Sequence, residues 1–244
     1  DPVGDEASRR HLYAAANPQH VPPAVILPYK KMGQSASAVM LDASDGRFGP
    51  FTGQFFVANY TLSLVMRAEM EWVNGVYQGA CHPFRQGFAT GLTGGTLTPE
   101  GQLFAGGSKR GWPVRGLSAM ALQRLDWTGQ MPFEFHSLRV KPDGFDLRFT
   151  TPVDPATARD PANYTLETFT HHYYGAYGGP EIEQADQEIL SATASADGLN
   201  VRLVVGKLLP GHIHELHLPG VRDRGGRRLL HDVAYYTLNQ IPKP

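Results

Sequence analysis

Gly53-Gln54-Phe55-Phe56-Val57-Ala58-Asn59 recurs 48 positions on as Gly101-Gln102-Leu103-Phe104-Ala105-Gly106-Gly107. In each copy a glycine suited to a tight turn leads into a short apolar run. A second run follows each. It is Val65-Met66-Arg67-Ala68-Glu69-Met70 in the first copy and Leu122-Gln123-Arg124-Leu125-Asp126-Trp127 in the second. Arg67, Glu69 and Gln123 alternate with apolar neighbours, as the residues on one face of a strand do. The second copy carries a longer connecting loop, Ser108 to Ser118. A unit of strand, turn and strand cannot bury its apolar face alone, so it must stack on another.

That spacing predicts two blade-like sheets of the β-propeller type over residues 35–130. Closed propellers use about four to eight blades, so two leave an apolar face and an open edge that need cover. Residues 1–34 are a candidate for that cover. They are rich in Pro, His and Tyr and without a period, and Pro18, Pro22, Pro23 and Pro28 confine any helix to Asp5–Ala16. The expectation is an extended arm that lies on another surface.

From Met131 the pattern changes. Residues 135–140 and 145–150 read as a hairpin across Lys141-Pro142-Asp143-Gly144. Asp154-Pro155 opens a short helix, with a carboxylate at the N-cap and proline at the first helical position. Further strands are expected at 163–169, 188–194, 199–205, 212–218 and 233–238, with Asp197-Gly198 turning between two of them. Seven short strands predict an immunoglobulin-like β-sandwich over 131–244. The whole chain therefore reads as all-β, partial propeller-like blades followed by a sandwich, and its 27 glycines and 19 prolines fit that reading.

Charge and cysteine content narrow the chemistry. The net charge of −1 gives no field for nucleic acid or acidic lipid. No apolar run reaches the length of a membrane span. With Cys81 as the sole cysteine there is no intrachain disulfide and no Cys-x-x-Cys-His motif for covalent haem, so no cofactor is expected to be covalently bound. The chain opens at Asp1 without Met, which we read as a processed N-terminus of an exported protein, periplasmic or extracellular.

Several clusters carry potential chemistry. Lys109, Arg110 and Trp112 set two cations beside an aromatic, suited to a quinone carboxylate, a sugar or an acidic partner; packing of a blade corner is the commoner role. Cys81-His82 near Arg85 has the charge that lowers a thiol pKa, but no base and orienting group are spaced for catalysis, and burial is the usual fate of such a cysteine. His212 and His214 share one strand face as a metal pair, though spacing fixes no third ligand and Leu216 and Leu218 on that face point His214 at the core. Arg222, Arg224, Arg227 and Arg228 form a basic turn, partly balanced by Asp223 and Asp232, for a phosphate or an acidic partner. Glu181, Glu183, Asp186 and Glu188 read as a solvated acidic loop, without an EF-hand pattern. His172, Tyr173, Tyr174 and Tyr177, next to His171, form an aromatic loop of the kind that contacts proteins or glycans.

A family resemblance runs through nearly the whole chain. Phe48-Gly49-Pro50-Phe51, Val73-Asn74-Gly75-Val76-Tyr77-Gln78-Gly79-Ala80-Cys81, Pro83-Phe84-Arg85, Arg110-Gly111-Trp112 and Leu122-Gln123-Arg124 resemble the last blades of bacterial PQQ-dependent sorbosone/glucose dehydrogenase-like propellers. Gly144 to Thr150, Pro152-Val153-Asp154, Asn163-Tyr164 and Tyr236-Thr237-Leu238-Asn239 resemble the Ig-like domain that follows such propellers. The resemblance implies an exported setting, often beside cytochrome c modules. The chain departs from the family pattern at Ala58-Asn59-Tyr60 and at Gln34-Ser35-Ala36-Ser37-Ala38, where a carboxylate and an arginine are lost. The expected function is therefore a non-catalytic accessory or scaffold subunit that docks a protein partner, on the exported face of a membrane-associated electron-transfer complex or on a cytochrome-bearing protein. Two alternatives stand beside it: the C-terminal portion of a PQQ-dependent sugar dehydrogenase, which would use PQQ and calcium, and a carbohydrate-binding module.

Overall fold

The computed structural model describes residues 9–173 and 177–243. Among these residues the protein is all-β, with fifteen strands and two short α-helices, and none of its sheets closes into a barrel. It divides into two compact units that do not follow chain order. A meander unit comprises Leu27–Glu69 and Cys81–Met131; a sandwich unit comprises Asp1–Ile26, Met70–Ala80 and Pro132–Pro244. No helix among the described residues is long and apolar enough to cross a membrane.

In chain order the first elements are α1 (Arg10–Ala16), β1 (Ala36–Leu41), β2 (Phe55–Asn59), β3 (Leu64–Val73), β4 (Val76–Gln86), β5 (Leu92–Leu97), β6 (Gln102–Ser108) and β7 (Met120–Asp126). In the meander unit the strands follow chain order within each sheet, β1-β2-β3-β4 and β5-β6-β7. β5 packs against β1 and β2. That approach needs Gly95, because a Cβ there would come within 2.8 Å of Met40 Sδ and 2.9 Å of the Phe104 carbonyl oxygen. The β3–β4 turn is Asn74-Gly75 with φ of 45° and 90°. Two positive φ values in succession are what a two-residue hairpin with right-handed strand twist requires.

The core of this unit gathers Met40, Phe48, Phe51, Phe56, Val65, Phe88, Leu92 and Leu103. Phe48 meets Phe56 edge-on with ring centroids 5.2 Å apart. A polar group is enclosed with them. Arg67 is fully buried, lies 4.0 Å from the centre of the Phe51 ring and donates to Gln54 Oε1. Glu69 and His82, both buried, meet at 3.1 Å.

The sandwich unit contains α1, the tip of the β3–β4 hairpin, and β8 (Phe135–Lys141), β9 (Gly144–Phe149), α2 (Pro155–Ala158), β10 (Thr165–Thr170), β11 (Ile182–Gln187), β12 (Ile189–Ala194), β13 (Asn200–Val205), β14 (His212–His217) and β15 (Val233–Leu238). One sheet runs β12-β13-β9-β8; the other runs β15-β14-β10-β11, with β4 beside β15. Phe135, Phe145, Phe149, Leu147, Leu203, Leu216, Tyr236 and Leu238 from the two sheets form one core. Full burial of each large apolar side chain stabilises by about 1.5–3 kcal/mol. Asp154 caps α2 through Oδ1, which accepts from Ala156 N at 3.0 Å, and Tyr164 donates its hydroxyl to the Ala158 carbonyl at 2.6 Å.

All seven strands expected beyond residue 131 are present within one or two residues of their expected bounds. One expectation is corrected. The acidic stretch holding Glu183 and Asp186 is not a loop but β11, paired antiparallel with β10 from Leu166↔Gln187 to Thr170↔Ile182. It is an edge strand whose side chains are largely exposed, so backbone pairing holds it without the apolar alternation that marks a strand in sequence.

The arm has a surface to lie on. Within the sandwich unit Ile26 N donates to Thr237 Oγ1 at 2.8 Å and Asn239 Nδ2 donates to the Pro23 carbonyl at 3.0 Å. Arg9 pairs with Glu183 at 2.8 Å and bridges to His172 through the backbone. The hairpin tip is tied in the same way. Tyr236 donates its hydroxyl to Glu71 Oε1 at 2.6 Å, and Gln78 Nε2 donates to the Tyr236 oxygen at 2.9 Å. Burial, reinforced by the Glu71 carboxylate, raises the Tyr236 pKa far above its ordinary value.

Candidate functional site

The loop between β6 and β7 is anchored at both ends. Lys109 N donates to the Ala119 carbonyl at 3.1 Å, and Tyr60 donates its hydroxyl to the Arg110 carbonyl at 3.1 Å. Gly116 N donates to Ser63 Oγ at 2.9 Å, and Ser118 N donates to the Ala89 carbonyl at 2.8 Å. The loop is thus fixed while its side chains face outward. Lys109 and Arg110 are exposed and Trp112 is 76% exposed. Among the described residues no cation–π contact joins Arg110 to Trp112, so the packed corner considered for them does not form.

Beyond the loop the apolar surface continues. Leu117 is 86% exposed, and Met120 and Leu122 are each 76% exposed. Met120 and Leu122 lie on one face of β7, with the partly buried Ala121, Gln123 and Leu125 on the other. β7 is a sheet edge, so these side chains flank a row of backbone N–H and C=O groups available for pairing. Beside it, Leu62, Phe88, Ala89, Arg115 and Leu117 help to line a cavity of about 600 Å³. The sequence reading found the cationic end of this surface but not Leu117 and Met120. A partial signal lies in Met120-Ala121-Leu122, where large and small residues alternate at period two; Leu117, three positions before Met120, is out of phase with it.

The other candidate residues serve mainly as internal partners. Cys81 and His82 are both fully buried. As neighbours on a strand they point to opposite faces, and His82 faces Glu69, so no thiol–imidazole dyad forms. His212 makes two contacts with protein acceptors, Nε2 to Glu183 Oε2 at 2.9 Å and Nδ1 to the Pro210 carbonyl at 3.1 Å. His214 is fully buried, lies 5.6 Å from the Phe145 ring and accepts from Leu209 N at 3.3 Å. Burial, with the neighbouring His212 charge adding, pushes its pKa down to about 3. The described residues contain no group of three or more His, Cys, Asp or Glu placed to hold a metal ion. Elsewhere Glu134, buried, meets His231 Nδ1 at 2.6 Å.

The basic turn is organised by an acid. Asp223 Oδ1 accepts from the backbone N–H groups of Gly225 and Arg227, and Oδ2 from Arg227 Nε at 2.7 Å. Burial opposes the Asp223 charge, but the Arg227 and Gly225 donors outweigh it and hold the carboxyl below its usual range. Arg222 donates to the carbonyls of Pro219 and Val221, and Arg224 to that of Asp197. Arg228 is exposed. In the aromatic loop, Tyr13, His20 and Tyr173 form a mutual cluster with centroids 4.4 to 5.3 Å apart, and Tyr177 is exposed. Tyr174 lies outside the described residues.

No family model and no curated protein matches the chain. Among solved structures it is similar to surface layer protein SbsC, domains 1–6, at 20% identity and a TM-score of 0.35. That alignment covers 46% of this chain and 14% of the S-layer chain.

Proposed function

We propose that this chain is an exported, non-catalytic accessory subunit of sugar-dehydrogenase propeller ancestry that docks a protein partner, belonging to a membrane-associated electron-transfer complex, through the β7 edge. The observation that supports it best is the run of large apolar side chains, Trp112, Leu117, Met120 and Leu122, held outward on an anchored loop and an open strand. A patch of this kind flanked by free backbone groups is the substrate of strand addition by another chain. Lys109 and Arg110 at its rim would select an acidic partner surface.

The test is purification of the native assembly under mild conditions, with haem absorbance and intact mass read on the complex. The expected result is a stoichiometric, haem-bearing partner that is lost on Leu122→Arg while the variant keeps its Tm. A chain that elutes alone, or a complex indifferent to Leu122→Arg, would sink the proposal. A second reading draws on the succession of a four-strand and a three-strand meander. On that reading the sheets are the last blades of a longer PQQ-dependent dehydrogenase. A reading frame with further blades, and sugar oxidation dependent on added PQQ and calcium, would favour it.

A further inference from the structure

The arm does more than cover a sheet. Where it crosses the ends of β14 and β15 it leaves a cavity of about 370 Å³ in the sandwich unit, lined by Ala14, Ala15, His20, Pro22, Val76, Pro210, Gly211, Asn239 and Gln240. This is within the range of small-ligand pockets, about 300–1,000 Å³. Its lining carries no Asp, Glu, Lys or Arg, so nothing in it selects an ionic ligand. The apolar part is small and smooth, made by Ala14, Ala15, Pro22, Val76 and Pro210.

Three polar side chains line this space, Gln240 exposed and His20 and Asn239 half-buried. Among the described residues the His20 ring nitrogens and the Gln240 side-chain amide make no hydrogen bond. Asn239 spends its amide nitrogen on the carbonyls of Pro23 and Tyr77 and leaves Oδ1 without a donor. The His20 ring is held in place edge-on to Tyr13 and Tyr173. An apolar floor, the His20 imidazole and amide donors and acceptors in both senses match a ligand with a C–H face and a ring of hydroxyls.

We propose that this cavity binds a neutral saccharide, a single sugar or the end residue of a glycan, with the sugar hydroxyls on Gln240, Asn239 Oδ1 and His20. The site is independent of the β7 edge and is formed only when the arm is in place. The experiment is ligand-observed saturation-transfer NMR and amide shift titration of the full chain with D-glucose, D-galactose and cellobiose. Saturable shifts at the Gln240 and Asn239 side-chain amides are expected for at least one of them. Gln240→Ala should weaken that binding about tenfold with Tm unchanged, since loss of a hydrogen bond of about 1–1.5 kcal/mol is close to a factor of ten, and His20→Ala should weaken it as much with a lowered Tm from the lost ring contacts to Tyr13 and Tyr173. Absence of any saturable shift would overturn the proposal. So would binding that both variants leave intact, or a preference for glucuronate or an extended peptide over the neutral sugars.

Discussion

His214 ties the stability of the sandwich unit to pH. Its imidazole is fully buried against Phe145, and its pKa is lowered to about 3. In the unfolded chain the same group titrates near 6.5. The unfolded state therefore takes up a proton below pH 6.5 that the native state refuses until about pH 3. Stability from this residue is full above pH 6.5 and is lost as pH falls, with a limiting slope of about 1.4 kcal/mol per pH unit. Between pH 8 and pH 5 the loss is about 2 kcal/mol, and across the full shift it approaches about 5 kcal/mol. The comparison is urea unfolding of the wild type and His214→Leu at pH 8, 7, 6 and 5. The variant leaves Leu209 N without its acceptor, so it starts less stable by about 1–3 kcal/mol. Its curve should nevertheless be flatter than that of the wild type, and the gap should close by about 2 kcal/mol at pH 5. Parallel pH curves for the two proteins would refute the reasoning.

Three further outcomes follow from the geometry. Tyr164→Phe removes the hydroxyl donated to the Ala158 carbonyl and should cost about 1 kcal/mol, read as a lowered Tm with secondary structure unchanged by circular dichroism. Gly95→Ala should cost about 1–3 kcal/mol in the meander unit, because the added methyl meets Met40 Sδ and the Phe104 carbonyl; in a Met40→Ala background, itself destabilised by the lost core side chain, the added cost of Gly95→Ala should be smaller. Asp154→Ala uncaps α2 and should cost about 1 kcal/mol by urea midpoint, whereas Asp154→Asn, which keeps the acceptor, should cost much less.

Much of the sandwich unit was legible because its signals are local. Asp154-Pro155 specifies its helix start by chemistry at two positions, and Lys141 to Gly144 and Asp197-Gly198 specify turns. Two of the missed strands, β5 and β11, lack a local signal of their own. β5 is Leu92-Thr93-Gly94-Gly95-Thr96-Leu97, where Gly95 answers to the close approach of Met40 on β1 and not to strand propensity. β11 is a mostly exposed edge. β4 was within reach, since Asn74-Gly75 between apolar neighbours is a hairpin signal, although its His82 and Arg85 suggested a reactive group instead. At the candidate site the cation–aromatic triplet was readable as composition. The exposure of Met120 and Leu122 was not, because alternation tells which residues share a face and not which face is covered. The pairing of Glu134 with His231, 97 positions apart, has no sequence signature at all.

The attachment of the arm also orders events in time. The bonds that hold it join residues 211 and 216 positions apart, Ile26 to Thr237 and Pro23 to Asn239. Contacts so distant along the chain must wait for nearly all the intervening polypeptide to be made, and closing such loops slows folding. A ribosome delivering this chain from its N-terminus would release α1 and the β3–β4 tip long before their surface exists, since β14 and β15 come last. Until then these segments remain open to chaperones and to proteases. A trypsin time course during refolding should therefore show cleavage after Arg9 persisting until β15 has docked, with protection of both ends gained in one step.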